Sequence, residues 1–455
     1  MPSDYQSALT WVLSFADYER NPAAKYSSAD FNLPRMEALL ARLGNPHRAS
    51  PVIHIAGTKG KGSTAALVAS ALSKAGYRVG LYTSPHLHTF RERMRIGQRF
   101  IGEDEVAALV ARLRPEAEAL NVQGMVGQVT TFELITALAF LFFERRVDVQ
   151  VLEVGLGGRL DSTNVCQPEV CVITSLSYDH TQVLGRTLSE IAYEKAGILK
   201  TGAVAVTAPQ APEAMTVVEE TARSKGVPLT VVGRDITWEM LRQDLDGQSV
   251  RIQGLRDSHE VWLPLLGDHQ VENAAVAVAT LELAGRRGMV APAAAVVAGF
   301  RDVSWPGRLQ VLERKPLVIA DGAHNPYSMA CLRNALRNHI PFRKAFVIMG
   351  ISTDKDASGI LREIAPLECK LIAVRSRHPR AADPARIAAE ARRLGMDAVS
   401  GLTVKDGLAL ARREARPDDL VCATGSLFVA AEAIEAVCGV APEVLPMPVK
   451  GASTH

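Results

Sequence analysis

The sequence has few cysteines and little net charge, and both shortages exclude classes of protein. Six cysteines are scattered along 455 residues, without the paired spacing of a metal site or the density of a disulfide framework. That usage is typical of a protein in a reducing cytosol. The formal charge of +2 at pH 7 provides no basic field for nucleic acid. We therefore expect no nucleic-acid partner, and any anionic ligand must be bound in a local pocket.

Long apolar runs are also missing. The longest, Leu134 to Phe143, is about half of the ~20 residues that a membrane helix needs. The N-terminal sequence MPSDYQSALTWVL lacks the basic, apolar and small-residue regions of an export signal. These features predict a cytoplasmic protein without a membrane span.

The length and the apolar content are sufficient for more than one core. At 455 residues, with 47% apolar and 22% charged residues, the chain has the balance of a globular protein. A chain of this length exceeds what one hydrophobic core ordinarily supports. We therefore expect two domains.

The most informative stretch is VIHIAGTKGKGST, from Val52 to Thr64. Its β-branched start predicts a buried strand, and the apolar residues after Thr64 predict a helix that ends at Gly76. The glycines between them let backbone N–H groups surround a phosphate at the helix N-terminus. Lys61 would add a positive charge, and the hydroxyl of Ser63 or Thr64 could face Mg²⁺.

This loop departs from the strict P-loop pattern. That pattern has Ser or Thr directly after Gly-Lys, whereas here Gly62 intervenes before Ser63. One interpretation is an ordinary glycine-rich turn, and the other is a variant phosphate loop. The rest of the chain has to distinguish them.

Polar side chains follow three further predicted strands. Ser84 comes after one strand in TSPHL, Glu153 ends a second, and His180 follows a third in SYDHTQVLG. The carboxyl edge of an open α/β sheet is where ligands bind. A carboxylate in a buried strand is costly unless it is paired or bound to metal, so Glu153 is a candidate Mg²⁺ ligand. His180 alone could equally be a structural histidine.

Some charged residues allow two interpretations. Arg91, Arg93 and Arg95 alternate as on one face of a strand, and they could bind an anionic substrate tail or be solvated. Glu133 lies in the first turn of an apolar helix, where it could simply complement the helix dipole. Lys195 lies in an apolar neighbourhood, although solvent exposure is usual for lysine.

The remaining sequence predicts the fold class. Residues 236–265 alternate apolar and polar side chains around Asp246-Gly247, as in a hairpin, and Trp305-Pro306-Gly307 is the best linker candidate. Beyond Leu309, strands are predicted at Leu317 to Asp321, Ala345 to Gly350, Leu371 to Val374 and Leu420 to Ala423, each followed by a helix. We predict a P-loop-type, mostly parallel α/β sheet domain over residues 1–302, a smaller Rossmann-like doubly wound α/β domain over residues 303–440, and a tail over residues 441–455.

Nine motifs together resemble one family. In order they are GTKGKGST, TSPHL, EVGLGGRLDSTN, DHTQVLG, EKAGI, GDHQVENAAVA, WPGR, DGAHNP and ATGSL. Between residues 31 and 428 their order and spacing resemble the bifunctional dihydrofolate synthase and folylpolyglutamate synthase family of the Mur ligase superfamily. The resemblance implies that ATP phosphorylates a carboxylate and that the amine of L-glutamate displaces phosphate to form an amide.

The resemblance also implies roles for individual residues. The ATP-binding residues would be Gly60, Lys61, Gly62, Ser63, Asn273, Arg308 and Asp321. The ligands of Mg²⁺, with two ions expected, would be Ser84, Glu153 and His180. The residues bordering the pterin substrate would be Thr131, Phe132, Glu133, Gly158, Arg159 and Leu160. His324 and Ser426 would position the incoming glutamate. The catalytic set would be Lys61, Glu153, His180, Lys195 and His324, with Lys195 carbamylated.

Elementary chemistry is consistent with these roles, and alternatives remain. Mg²⁺ and a lysine offset the repulsion between a carboxylate and the γ-phosphate, and domain closure excludes water. Lys59 stands where many bacterial members carry Asn, so a monofunctional folylpolyglutamate synthase is one alternative. A peptidoglycan Mur ligase and a P-loop kinase or nucleotide switch are others. The expected partners are ATP, L-glutamate and dihydropteroate or tetrahydrofolate, bound by a monomer.

Overall fold

The computed structural model describes residues 4–17 and 32–445. Phe31, at the start of the region of resemblance, and the predicted tail beyond Leu445 lie outside these residues. Within the described part of the chain, no helix is both long and apolar enough to cross a membrane.

The first of the three sheets has eight strands and carries the phosphate loop. Its strands are β1 (Val52–Ala56), β2 (Val79–Tyr82), β3 (Met94–Ile96), β4 (Arg99–Phe100), β5 (Val149–Glu153), β6 (Val170–Ile173), β7 (Val204–Thr207) and β8 (Leu229–Val231). Their order is β4-β3-β2-β5-β1-β6-β7-β8; the β2–β3 and β3–β4 pairs are antiparallel, and all other pairs are parallel. The prediction of a mostly parallel sheet is confirmed.

Helices cover both faces of this sheet. They are α1 (Tyr5–Val12), α2 (Leu33–Arg42), α3 (Lys61–Lys74), α4 (Glu103–Gln123), α5 (Thr131–Phe143), α6 (Thr181–Leu184), α7 (Leu188–Ala196), α8 (Pro212–Ser224), α9 (Asp268–Arg286) and α10 (Ala293–Arg301). The apolar residues of α3, α9 and α10 form one core, and those of α1, α2, α4 and α5 form another. Burial on both faces explains why the central strands read as continuous apolar runs.

A three-stranded antiparallel sheet packs on the α9 and α10 side. It consists of β9 (Thr237–Asp244), β10 (Gly247–Gln253) and β11 (Ser258–Leu263), in the order β11-β10-β9. The predicted hairpin is the β9–β10 pair, whose strands meet at Asp244 and Gly247. The third strand continues the alternation, with Val261 and Leu263 buried.

The last sheet lies in the C-terminal part of the chain. Its strands are β12 (Gln310–Arg314), β13 (Leu317–Ala320), β14 (Ala345–Met349), β15 (Lys370–Arg375), β16 (Ala398–Thr403) and β17 (Leu420–Thr424), in the order β12-β13-β17-β14-β15-β16. The helices are α11 (Pro326–His339), α12 (Ala357–Ile364), α13 (Pro384–Arg393), α14 (Val404–Glu414) and α15 (Leu427–Cys438). All pairs except β12–β13 are parallel, which confirms a doubly wound α/β unit.

Three local features differ from the sequence expectations. The alternation beyond Leu309 did not predict β16, because Ser400 and Gly401 weaken its strand pattern and pairing with β15 forms it. Arg91 and Arg93 lie in a 3₁₀ turn, Phe90–Arg93, and not in a strand. Residues 441–445 have no regular secondary structure, yet the Glu443 carboxylate accepts hydrogen bonds from Thr89 Oγ1 at 2.8 Å and from the Phe90 amide at 2.7 Å.

Candidate active site

A cavity of about 430 Å³ opens at the carboxyl edge of the eight-stranded sheet. The strands β2, β5, β1 and β6 are consecutive in the sheet, and the residues that follow each of them line this cavity. Residues that follow β13, β14 and β17 line its opposite side. The cavity therefore lies between the two parallel sheets, where a bound ligand touches both.

The phosphate loop is shaped by glycines that no other residue could replace without movement. Gly60, with φ +89°, precedes α3, and a Cβ at Gly60 would collide with Oδ1 of Asn273. The amides of Thr58 and Lys59 donate to the carbonyl of Ser175, at 2.9 and 3.1 Å. The N-terminus of α3 is thereby held open towards the cavity, as phosphate binding requires.

The side chains at the start of α3 divide between cavity and core. Lys61, Gly62 and Ser63 line the cavity, whereas Thr64 is fully buried and does not line it. Lys61 Nζ lies 4.0 Å from Oε1 of Glu153. Of the two hydroxyls that the sequence left open, Ser63 is thus the one on the ligand side.

Glu153 brings a buried carboxylate to the same place. It ends β5, is 5% exposed, and Oε2 accepts one long hydrogen bond, 3.3 Å, from the amide of Ser84. Burial raises the pKa of Glu153, and the nearby Lys61 opposes that rise. The Glu153 carboxylate thus has few hydrogen-bond donors of its own. Together with the hydroxyl of Ser84 it offers oxygen ligands of the kind that bind Mg²⁺.

His180 reaches the same cavity from beyond the end of β6, which β1 separates from β5. It has φ +50°, precedes α6 and lines the cavity. Burial, reinforced by the charge of Lys355, holds the pKa of His180 well below its ordinary value. The imidazole is therefore neutral, which is the form that ligates a metal.

Lys195 is buried, contrary to the usual exposure of lysine. It lies on α7, is 4% exposed, and Nζ donates to the carbonyl of Gly57 at 3.0 Å. Burial, followed by the charge of Lys61, lowers the pKa of Lys195 to about 7. A large fraction of its amine is thus uncharged near neutral pH, and a neutral amine is the form that reacts with CO₂ to give a carbamate.

The predicted nucleotide residues of the C-terminal part also line the cavity. Both carboxylate oxygens of Asp321 are engaged by its own loop, by the amides of Leu309 and Ala323 at 2.8 Å each. Arg308 donates to the carbonyl of Gly307 at 3.1 Å, and burial lowers its pKa. Asp321 therefore holds the backbone at Leu309, and Arg308, which is half-buried, carries a cation at the cavity.

His324 and Ser426 complete that side. Nδ1 of His324 lies 2.8 Å from the carbonyl of Gly322, and Nε2 lies 2.7 Å from Nζ of Lys59. Burial, followed by Lys59, lowers the pKa of His324 to about 4, so its ring is neutral, with Nδ1–H donating to the carbonyl and Nε2 accepting from Lys59. Ser426 accepts from the Val429 amide at 3.1 Å and caps α15.

One wall of the cavity is built from the start of α5. Thr131, Phe132, Glu133 and Leu160 line it. Both oxygens of Glu133 lie 2.9 Å from Nε of Arg35, and Oε2 also accepts from the amide of Thr130. Glu133 thus pairs with a buried guanidinium as well as capping its helix, which the sequence alone did not indicate.

Two predicted substrate residues lie elsewhere. Gly158 and Arg159 are not among the residues that line the cavity. A Cβ at Gly158 would be 3.0 Å from the carbonyl of Glu194, and Arg159 forms an ion pair with the Glu194 side chain at 2.9 Å. This part of the EVGLGGRLDSTN motif packs against α7 in the structure, and the contact of these two residues with substrate stays a prediction.

Sequence reasoning missed a polar cluster that joins the two parts of the chain. Nζ of Lys355, which follows β14, donates to Oδ1 of Asp179 at 2.7 Å, and Nζ of Lys59 donates to Oδ2 at 2.9 Å. Burial alone would raise the pKa of Asp179, but the charges of Lys59 and Lys355 hold it well below its usual range. The sequence position of Lys355 could have predicted its place at the site, because Lys355 follows the carboxyl end of a parallel strand.

Two protein-family models match the parts of the chain that contain the two parallel sheets. Residues 55–281 match the family model of the Mur ligase middle domain, and residues 307–427 match that of the Mur ligase, glutamate ligase domain. A Bacillus subtilis (strain 168) dihydrofolate synthase/folylpolyglutamate synthase is 36% identical over 365 residues, which cover 79% of this chain and 82% of that protein. A Lacticaseibacillus casei folylpolyglutamate synthase is 35% identical over 420 residues, 89% of this chain and 94% of that protein.

A solved structure agrees with the fold. Mycobacterium tuberculosis folylpolyglutamate synthase, complexed with ADP and AMPPCP, has a TM-score of 0.84 at 33% identity, covering 91% of this chain and 96% of that chain. The similarity therefore includes both parallel sheets.

Proposed function

Since this chain belongs to the dihydrofolate synthase/folylpolyglutamate synthase family of the Mur ligases, we propose that it adds L-glutamate to dihydropteroate and to folylpolyglutamate at the expense of ATP. The observation that carries the proposal is the row of four neighbouring strand ends, which brings Ser84, Glu153 and the Lys61 loop to one cavity. A carboxylic acid bound there meets the γ-phosphate, and the opposite wall supplies groups for the attacking amine.

The first step is the phosphorylation of the acceptor carboxylate. The N-terminus of α3 and Lys61 bind the phosphates, and Arg308 adds a second cation from the opposite wall. Ser84, Glu153 and His180 would hold Mg²⁺, with two ions expected, because their hydroxyl, carboxylate and neutral imidazole converge on the cavity. When bound, Mg²⁺ offsets the repulsion between the γ-phosphate and the carboxylate.

Lys195 has the environment that a carbamate requires. Its amine is buried beside the phosphate loop, and its pKa of about 7 leaves it partly neutral. Carbamylation would convert a buried cation into an anion surrounded by Lys61 and Lys59, whose charges already act on this site. We propose this modified lysine as an anionic brace of the phosphate loop.

The second step is attack by the amine of glutamate. His324 and Ser426 lie on the C-terminal wall with Lys355, which supplies a cation for a carboxylate of the incoming amino acid. The neutral His324 ring is fixed by Gly322 and Lys59, so it orients the substrate without charge repulsion of its amine. Closure of the wall over residues 303–440, which we propose as the second domain, would exclude water from the acyl phosphate.

The test is the acceptor dependence of ADP release by the full chain. We expect release that requires L-glutamate together with either dihydropteroate or tetrahydrofolate, as for a bifunctional enzyme that works as a monomer. Turnover of tetrahydrofolate alone would identify a monofunctional folylpolyglutamate synthase. Release with a hydroxyl acceptor in the absence of glutamate would overturn the ligase and indicate a kinase.

A further inference from the structure

A second cavity, of about 530 Å³, lies on the other side of the TSPHL segment. It is enclosed by Arg91 and Arg95, by the 305–308 connection and by residues 440–444. Pro85, Arg308 and Leu427 line both this cavity and the first one. The second cavity therefore adjoins the site of acyl transfer and is separated from it by three shared side chains.

Three donor atoms around this cavity lack a hydrogen-bond partner in the part of the chain that the structure describes. The Nε atoms of Arg91 and Arg95 and the Nε1 atom of Trp305 are buried without a hydrogen-bond partner. Among the described residues, no carboxylate lies within ion-pair distance of Arg95 or Arg308. Burial lowers the pKa of Arg95, and the charge of Glu92 only partly opposes that shift. Arg95 is half-buried, its Nε has no hydrogen-bond partner and no carboxylate of the described residues lies within ion-pair distance, so this geometry favours an anionic ligand.

The acidic groups around this cavity are already engaged. Glu92 accepts from the amides of Leu87 and His88, at 2.7 and 2.8 Å. Glu443 accepts from Thr89 and from the following amide. Glu103 lies 3.5 Å from Arg91. Arg95 is therefore the cation most available to a ligand.

Trp305 links this cavity to the phosphate loop. The guanidinium of Arg95 lies 5.0 Å from the centre of the Trp305 ring. A Cβ at Gly62 would be 2.7 Å from Cζ2 of the same ring. A ligand that contacts Arg95 is thus one aromatic ring away from the loop that binds the transferred phosphate.

The proposed function creates a need for such a space. The reacting carboxylate must always lie at Lys61, while each γ-linked glutamate added to the acceptor moves the pterin further from it. Each of those residues also carries a free α-carboxylate. The substrate therefore becomes longer and more anionic at its reacting end, and a cation-lined cavity next to the phosphate loop matches both changes.

We propose that the second cavity binds the α-carboxylates of the γ-glutamyl tail of acceptors that already carry several glutamates, with Arg95 as the main contact. This inference rests on the proposed function. It assigns Arg95 a role in chain-length specificity, whereas acceptors without a tail do not use it.

The kinetic test compares acceptors of different length with the full chain. In Arg95→Gln we expect the KM for tetrahydrofolate triglutamate to rise about tenfold, the effect of losing one charge-assisted hydrogen bond. The kcat and the KM for dihydropteroate should stay within about twofold. Arg95→Lys should recover part of the loss, and Arg99→Gln, an exposed arginine paired with Glu105, is the matched control.

Several outcomes would overturn the inference. An equal rise of KM for both acceptors would make Arg95 structural, and an unchanged KM for the triglutamate would exclude it from binding. Failure of the wild-type enzyme to use the triglutamate while it uses dihydropteroate would exclude the cavity as a tail site. Absence of turnover with every pteroate acceptor would instead remove the proposed function.

A binding measurement separates these last two cases. We expect γ-linked triglutamate without a pterin to bind the wild-type chain in calorimetric titration, and Arg95→Gln to weaken that binding at least about fivefold. Equal binding by both proteins, or no binding by either, would overturn the inference whatever the activity.

Discussion

Glu153 supplies the buried carboxylate that we propose as a ligand of Mg²⁺ in the first cavity. In Glu153→Gln the side chain keeps its shape but loses the charge that would hold Mg²⁺, so we expect kcat for ligation to fall by about 10³-fold or more. The melting temperature should change little, because burial already disfavours the charged form of Glu153 and its partner Lys61, 4.0 Å away, remains partly exposed to water. Glu169→Gln, an exposed glutamate paired with Arg287, is the control. Full activity of Glu153→Gln would remove this residue from the mechanism.

Lys195 provides a separate test at the residue scale. We expect Lys195→Ala to be inactive and to regain part of its activity with small carboxylates such as formate, which replace the carbamate. Because the amine must be neutral to react, loading of CO₂-depleted wild-type enzyme with ¹³C-bicarbonate should increase as the pH rises through about 7. The carbamate resonance in ¹³C NMR measures this. An unaffected rate in Lys195→Ala would exclude the carbamate.

At the scale of elements, α3 and its preceding loop act as one unit. Gly60 and Gly76 flank this helix, and both have positive φ, but only Gly60 has a close neighbour, Asn273. Alanine at either position strains the backbone and costs about 1 kcal/mol of the free energy of unfolding. Gly60→Ala must also displace Asn273 and deform the phosphate loop.

We therefore expect both variants to lose stability through backbone strain and the two to differ clearly in nucleotide affinity. Gly60→Ala should raise the Kd for ATP at least about tenfold, whereas Gly76→Ala should keep it within about twofold. Calorimetric titration and thermal unfolding measure the two quantities. Equal affinities would contradict the view that the close approach of Asn273 shapes the loop.

At the scale of the whole molecule, the Asp179 cluster joins the two parallel sheets. Asp179 receives Lys59 from the first part of the chain and Lys355 from the second. Asp179→Asn would leave two cations facing each other without their shared carboxylate. We expect a larger radius of gyration in small-angle X-ray scattering and a loss of about 10- to 100-fold in kcat/KM for glutamate.

A control for this prediction lies in the same cluster. Asp354 contacts Arg380 at 3.3 Å and Lys355 at 4.0 Å, all within the C-terminal part. Asp354→Asn should therefore leave the radius of gyration unchanged. The same change in both variants would mean that a general loss of charge, and not the contact between the two parts, controls closure.

The sequence predicted those features that depend on local pattern. Apolar strands, the glycine loop and the strand-helix alternation were sufficient for two parallel sheets, because buried strands and phosphate loops have few alternative compositions. Polar residues at strand ends predicted Ser84, Glu153 and His180 at one cavity, since parallel strands share their carboxyl edge. The family resemblance is confirmed by both family models and by the relatives.

Side-chain direction was beyond the reach of sequence. The alternation of Arg91, Arg93 and Arg95 suggested one face, but the 3₁₀ turn sends Arg93 to the first cavity and the other two to the second. Arg159 forms an ion pair with Glu194, and Lys59 forms a hydrogen bond with His324, which is 265 positions away in the sequence. Local pattern thus determined which strands form and which residues end them, whereas the partners of each charged group were decided only by tertiary structure, because long side chains select partners by distance and burial after the sheets have packed.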